Sequence, residues 1–189
     1  MPFSFLGKTL SGCFTVPSGI VTTAPSIIQR VIRDMPEIGV ITTKSIGLEP
    51  RLGNREPVYS QFAPGCFVNA VGLTNPGAQG SLESLGQLCV PDDRFLLVSI
   101  FGGSVEEFVA VAKMLEPVAD GFELNLSCPH ASGYGMAMGQ DPRIVGEIVA
   151  AVKQAVSKPI IPKLTPNVAH ITEEEALLGV SLTGIMDHP

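Results

Sequence analysis

The chain contains no tryptophan and only two tyrosines and three histidines among its 189 residues. Its four cysteines (Cys13, Cys66, Cys89 and Cys128) form no C-x-x-C pair. That spacing argues against a zinc site or a redox dithiol, and Cys13, Cys66 and Cys89 read as small buried apolar residues. No uncharged apolar run reaches the ~18 residues needed to span a bilayer. The opening Met1-Pro2-Phe3-Ser4-Phe5-Leu6-Gly7-Lys8 lacks the ordered charged and apolar regions of a signal peptide. Positive charge is also scarce: 12 Lys and Arg stand against 18 Asp and Glu, a net charge of −6, which argues against a phosphate-backbone partner. No G-x-G-x-x-G follows the first strand, which argues against a dinucleotide-binding Rossmann unit. The expectation is a cytoplasmic protein with no membrane span and no nucleic-acid partner.

Apolar residues are plentiful, at 45% of the chain with a mean hydropathy of +0.33, enough to build a core. They fall into alternating runs. Strand-like runs occupy residues 39–45, 95–102, 121–126 and 160–164, with a shorter strand pair within 3–20. Between them, helical spacing covers residues 26–34, 78–88, 105–115 and 142–156, and a further helix begins at 172. Ser104 and Asp141 are placed as N-caps, with Pro142 at a first helical position. Residues 47–65 carry many Pro and Gly and read as a long loop or hairpin. Alternation of this kind implies an α/β fold with a parallel sheet. The polar residues that end several strands favour a β/α barrel, because such barrels build their sites at the carboxyl edge. About five strand–helix units are present, short of the eight that close a barrel.

The central stretch is Phe122-Glu123-Leu124-Asn125-Leu126-Ser127-Cys128-Pro129-His130, where an apolar strand stops on an amide, a hydroxyl, a thiol and an imidazole. Two other strands end on lysines, Lys44 and Lys163. A lysine at the end of a buried strand is costly unless an anion or ligand meets it. Asn69-Ala70-Val71-Gly72-Leu73-Thr74-Asn75-Pro76-Gly77 supplies amides that can pair with a ring edge and glycines that let backbone approach it.

Together Thr43-Lys44-Ser45, Asn69 to Leu73, Asn125 to Pro129 and Lys163-Leu164-Thr165-Pro166-Asn167 resemble class 1 dihydroorotate dehydrogenase. Glu49-Pro50-Arg51 with Asn75-Pro76-Gly77 is similar to its NAD-linked 1B branch. The resemblance implies an FMN-binding (β/α)8 TIM barrel that oxidises dihydroorotate to orotate in pyrimidine biosynthesis. By that resemblance Cys128 is the catalytic base. Lys44, Asn69, Ala70, Val71, Gly72, Leu73, Asn125 and His130 meet the substrate. Ser18, Gly19, Lys44, Ser45, Ser99, Asn125 and Lys163 line the flavin, and no metal site is implied. A homodimer and a second subunit carrying FAD and an iron–sulfur cluster are implied as partners. His130 and Ser99 each stand where asparagine is common in the family. The Ser-Cys-Pro-His form also resembles dihydropyrimidine dehydrogenases, which keeps a uracil- or thymine-reducing enzyme as an alternative. The resemblance covers residues 1–171 and fades over 172–189. The expectation is therefore a truncated barrel that alone is poorly stable and binds FMN weakly or not at all, with a non-catalytic half-barrel as the remaining alternative.

Overall fold

The computed structural model describes residues 3–19, 21–127 and 136–164. Nine strands and five helices are present among them. Strands β1 (Phe3–Phe5) and β2 (Lys8–Leu10) form an antiparallel hairpin. The principal sheet contains β3 (Phe14–Val16), β4 (Ile38–Thr42), β7 (Phe95–Ile100), β8 (Gly121–Asn125) and β9 (Ile160–Lys163), in that spatial order and all parallel. Each of these strands lies beside the one that follows it through a helical crossover. An open doubly wound sheet reverses its strand order at a switch point, and no reversal occurs here. The winding is that of a β/α barrel, with five of its strands described.

The crossovers are α1 (Pro25–Asp34), α2 (Gly77–Leu85), α3 (Val105–Leu115) with a 3-10 turn (Glu116–Val118), and the short α4 (Met136–Gly139) with α5 (Pro142–Ala155). Ser104 caps α3 by accepting from Glu107 N–H, a donor that a helix start leaves open, and the Glu107 carboxylate reaches back to accept from Gly103 N–H just before the cap. Asp141 caps α5 through Arg143 N–H, ahead of Pro142. Helix α2 stops at Leu85, three residues earlier than its apolar spacing suggests, because Gly86 follows as its C-cap. The helix expected from residue 172 lies outside the described residues.

Side chains alternate across each strand, so the sheet has two faces with separate cores. The outer face carries Ile41, Leu96, Val98, Ile100, Phe122 and Leu124, all buried under Ile28, Val31 and Ile32 of α1, Phe108, Val111 and Leu115 of α3, and Ile148 and Val152 of α5. The inner face begins with Val40, Phe95 and Leu97, which form a second cluster with Leu10 of the hairpin and are packed by Phe5 and Ile161. Phe5 meets Phe95 edge to face at 5.1 Å. Gly121 leaves room for that ring, since a Cβ there would stand 2.9 Å from Phe95. The Lys8 ammonium donates to Asp120 and to the Arg94 carbonyl, each at 2.8 Å, and Asp120 accepts in turn from Leu96 N–H. The β1–β2 hairpin thereby closes the amino-terminal end of the sheet.

Between β4 and α2 the chain makes an excursion over residues 47–76. It contains the antiparallel hairpin of β5 (Tyr59–Ala63) and β6 (Cys66–Asn69). Asn75 ties the base of this excursion. Its side-chain carbonyl accepts from Gly47 N–H and Gly77 N–H, its amide donates to Leu73 O, and its backbone pairs with Arg51 in both directions.

Candidate active site

The inner face changes character toward the carboxyl edge. Phe95 and Leu97 give way to Ser99 on β7, Gly121 to Glu123 and Asn125 on β8, and Ile161 to Lys163 on β9. Register places these polar residues side by side: Ser99 pairs with Glu123, and Asn125 with Lys163.

A bulge aims β4 into the same place. Thr43 N–H still bonds Leu97 O, but the ladder resumes with Ile46 N–H on Ser99 O, one residue later than a regular parallel pair allows. The Thr43 hydroxyl stands in for the missing rung and accepts from Ser99 N–H at 3.1 Å. The extra residue breaks the alternation over Thr43-Lys44-Ser45 and brings the Ser45 hydroxyl onto the inner face, where it meets Ser99 at 2.9 Å.

One hydrogen-bond network then joins residues at the ends of all five strands. Lys163 Nζ donates to Glu123 Oε1 at 2.7 Å, and Ser99 Oγ donates to the same oxygen at 2.8 Å. Ser45 Oγ lies 2.9 Å from Ser99 Oγ and 3.1 Å from Ser18 Oγ, and accepts from Asn125 Nδ2 at 2.8 Å. Asn125 Oδ1 accepts from both the backbone N–H and the hydroxyl of Ser127. Counting donors fixes the direction of the serine chain. The Ser99 proton is committed to the Glu123 carboxylate, so the Ser45 proton goes to Ser99. Asn125 fills one acceptor position on Ser45, which leaves the other to Ser18 as donor. The proton polarity therefore runs Ser18 to Ser45 to Ser99 to Glu123, and Ser18 turns acceptor lone pairs toward the rim.

At the same rim, on the side of α1 and α2, lies a cavity of about 340 Å³ whose lining includes Gly19, Thr22, Lys44 and Val71 together with Ile28 and Leu85 of the outer layer. The Thr22 hydroxyl is buried and has no hydrogen-bond partner among the described residues. Gly19, at φ +83°, passes close to Lys44: a Cβ there would stand 3.7 Å from the amine.

The structure thus gathers Ser18, Ser45, Ser99, Asn125 and Lys163 into one network, and sets Gly19, Lys44 and Val71 around the cavity that α1 and α2 flank. Asn69 and Ala70 lie exposed at the end of β6. Gly72 sits at φ +81°, where a Cβ would stand 2.8 Å from the Asn54 side chain, and Leu73 beside it is buried. The Asn75 amide is committed to the backbone that it clamps, not offered to a ring edge. Cys128 and His130 lie outside the described residues. Glu123 was missed in the sequence reading, although it joins Lys163 to the serines. The signal was there: Glu123 and Asn125 alternate with Phe122, Leu124 and Leu126, the mark of an inward polar row. Among the described residues no group of His, Cys, Asp and Glu could hold a metal, and no helix is long and apolar enough to cross a membrane.

Comparison with known proteins points the same way. A family model described as dihydroorotate dehydrogenase matches residues 2–186. A Pyrococcus horikoshii protein named dihydroorotate dehydrogenase B (NAD(+)), catalytic subunit, is 50% identical over 159 residues, which is 82% of this chain and 50% of that protein. Proteins of the same name from Pyrococcus furiosus (45% identical over 167 residues, 88% of this chain and 54% of the relative) and Methanocaldococcus jannaschii (40% over 173 residues, 89% and 56%) also match. The chain spans about half the length of the curated relatives it matches.

Proposed function

The chain belongs to the dihydroorotate dehydrogenase family, and from that premise we propose that it supplies the amino-terminal half of an FMN-dependent catalytic barrel that oxidises dihydroorotate to orotate. The observation that carries this reading is the convergence of Lys163, Asn125 and three serines at one carboxyl rim, on the positions of the family's motifs.

The donor set suits a planar heterocycle that gains negative charge on reduction. Lys163 brings an ammonium to the inner face, Lys44 brings a second cation to the cavity at the same rim, and Ser18 presents lone pairs to a ring N–H. Asn125 keeps one amide proton, because its carbonyl and its other N–H are engaged with Ser127 and Ser45. Ser18, Gly19, Lys44, Ser45, Ser99, Asn125 and Lys163 would hold the flavin, whose chemistry is to accept a hydride. Lys44, the backbone of residues 70–73, Asn69, Asn125 and His130 would hold the substrate, and Cys128 would take the proton from C5 as the hydride leaves C6. A free thiol has a pKa near ~8.5, so the rate should rise with pH through the alkaline range as thiolate forms. The relatives' name includes NAD and a catalytic subunit. A homodimer with an FAD and iron–sulfur subunit that passes electrons to NAD completes the proposal, in the cytoplasm.

The test is anaerobic. Protein loaded with FMN should lose its flavin absorbance on addition of dihydroorotate, and C128A should abolish that loss while still binding FMN. Bleaching by dihydrouracil and not by dihydroorotate would overturn the substrate assignment in favour of the dihydropyrimidine reading that His130 motivates. Because half a barrel is expected to hold FMN weakly or not at all, the loading uses the chain joined to the remaining half of a relative's barrel; a joined barrel that takes up no FMN would overturn the flavin assignment.

A further inference from the structure

Glu123 is an acidic residue on a face that otherwise turns hydroxyls, an amide and a cation toward the rim. It is almost fully buried, with 7% of its surface exposed. A buried carboxylate is retained only where partners compensate it. Both of its partners meet one oxygen: Lys163 at 2.7 Å and Ser99 at 2.8 Å. The Lys163 side chain is itself mostly shielded, at 17% exposed. Glu123 therefore sits at the junction of the cation on β9 and the serine chain that crosses β7, β4 and β3.

We propose that Glu123 is a positioning residue with two effects. It holds the Lys163 ammonium at a fixed place on the inner face and offsets part of its charge. Through Ser99 it also orders the protons of Ser45 and Ser18, so that Ser18 meets a ligand as an acceptor. This inference rests on the flavin reading for its use, but the contact on which it stands belongs to the chain alone. An ammonium that donates to a carboxylate is a poor nucleophile. Releasing it raises its reactivity, and a glutamine in place of Glu123 keeps the volume while removing the charge. If a flavin is bound, removing the carboxylate leaves an uncompensated cation beside it, which favours the anionic reduced ring.

The experiment labels the purified chain, without added flavin, with a limiting amount of acetic anhydride, and compares Lys163 with exposed Lys153 by peptide mass spectrometry. E123Q should raise the relative labelling of Lys163 about fivefold or more, with E123D intermediate. S99A, which cuts the serine chain and leaves the ion pair, should change it less than twofold. Unchanged labelling in a folded E123Q chain overturns the proposal. If E123Q does not fold, carbodiimide cross-linking of the wild-type chain decides. A Glu123–Lys163 isopeptide is expected, and its absence in a sample where Lys8 and Asp120, 2.8 Å apart, are joined overturns it. In FMN-loaded protein the midpoint potential should rise in E123Q and return toward wild type in E123D. A potential that stays put while labelling rises refutes the charge-offset part. Failure of the chain joined to a relative's remaining half to bind FMN counts against the flavin reading and leaves the labelling result to judge Glu123.

Discussion

Along β7, Phe95 and Leu97 pack with Val40 and Leu10, while Ser99, two residues on, meets Ser45 and Glu123. The lower and upper halves of the inner face are parts of the same strands, at the same pleat, under the same outer layer of helices. They differ in what fills the space between them. In the lower half, rings and branched chains exclude water without needing direction. In the upper half every group must find a partner of the right sign and geometry, which is why the network reaches across all five strands. The lower half can be expected to carry stability, and the upper half recognition.

The harshest test of that division is Phe95→Ala. Phe95 is buried against Phe5, Leu10 and Gly121, and its loss should destabilise the chain by about 3–5 kcal/mol in urea unfolding. Ser45→Ala should destabilise by only ~1–3 kcal/mol, the cost of leaving the Asn125 amide and the Ser18 hydroxyl without their acceptor. The same variant should lose most of its flavin affinity, read by fluorescence titration. If it matches the loss of stability in Phe95→Ala, the two halves are not distinct in this way. Ser104→Ala, on the outer layer and remote from both, should remove ~1 kcal/mol through the lost cap of α3 and leave flavin affinity unchanged.

The smallest effect concerns pH. The Glu116 carboxyl is held below its ordinary range by the backbone N–H of Ser157 and then by its hydroxyl. Its folded value lies below its unfolded one. Its contribution is therefore present above the ordinary glutamate value of about 4.3 and is lost as pH falls through the folded value. Glu116→Gln should lower Tm slightly at pH 7, and the gap to wild type should narrow as pH falls through the folded value.

Much of this was legible in the order of residues. The apolar runs of β7, β8 and β9 are long enough to name as strands, and Ser104 and Asp141 announce their helices because capping is a local event. Lys44 and Lys163 drew attention as charges at the ends of buried strands. What escaped depended on contacts distant in sequence. Strand β4 ends at Thr42, not at Ser45, because a bulge opposite Ser99 interrupts it, and nothing within residues 39–45 signals that. Glu123 was hidden by reading its strand as an apolar run and not as two alternating rows. Asn75 looked like a ligand residue because its amide has the right chemistry; only the fold shows that Gly47, Gly77 and Leu73 already occupy it.

The Asn75 clamp makes the excursion a detachable module. Its two ends are fastened to each other through Arg51 and Asn75 before the chain reaches the β5–β6 turn, and a Cβ at Gly65 in that turn would meet nothing within 4 Å. A reporter peptide grafted between Pro64 and Gly65 would hang from a tether that is already knotted at its root, leaving the sheet beneath undisturbed.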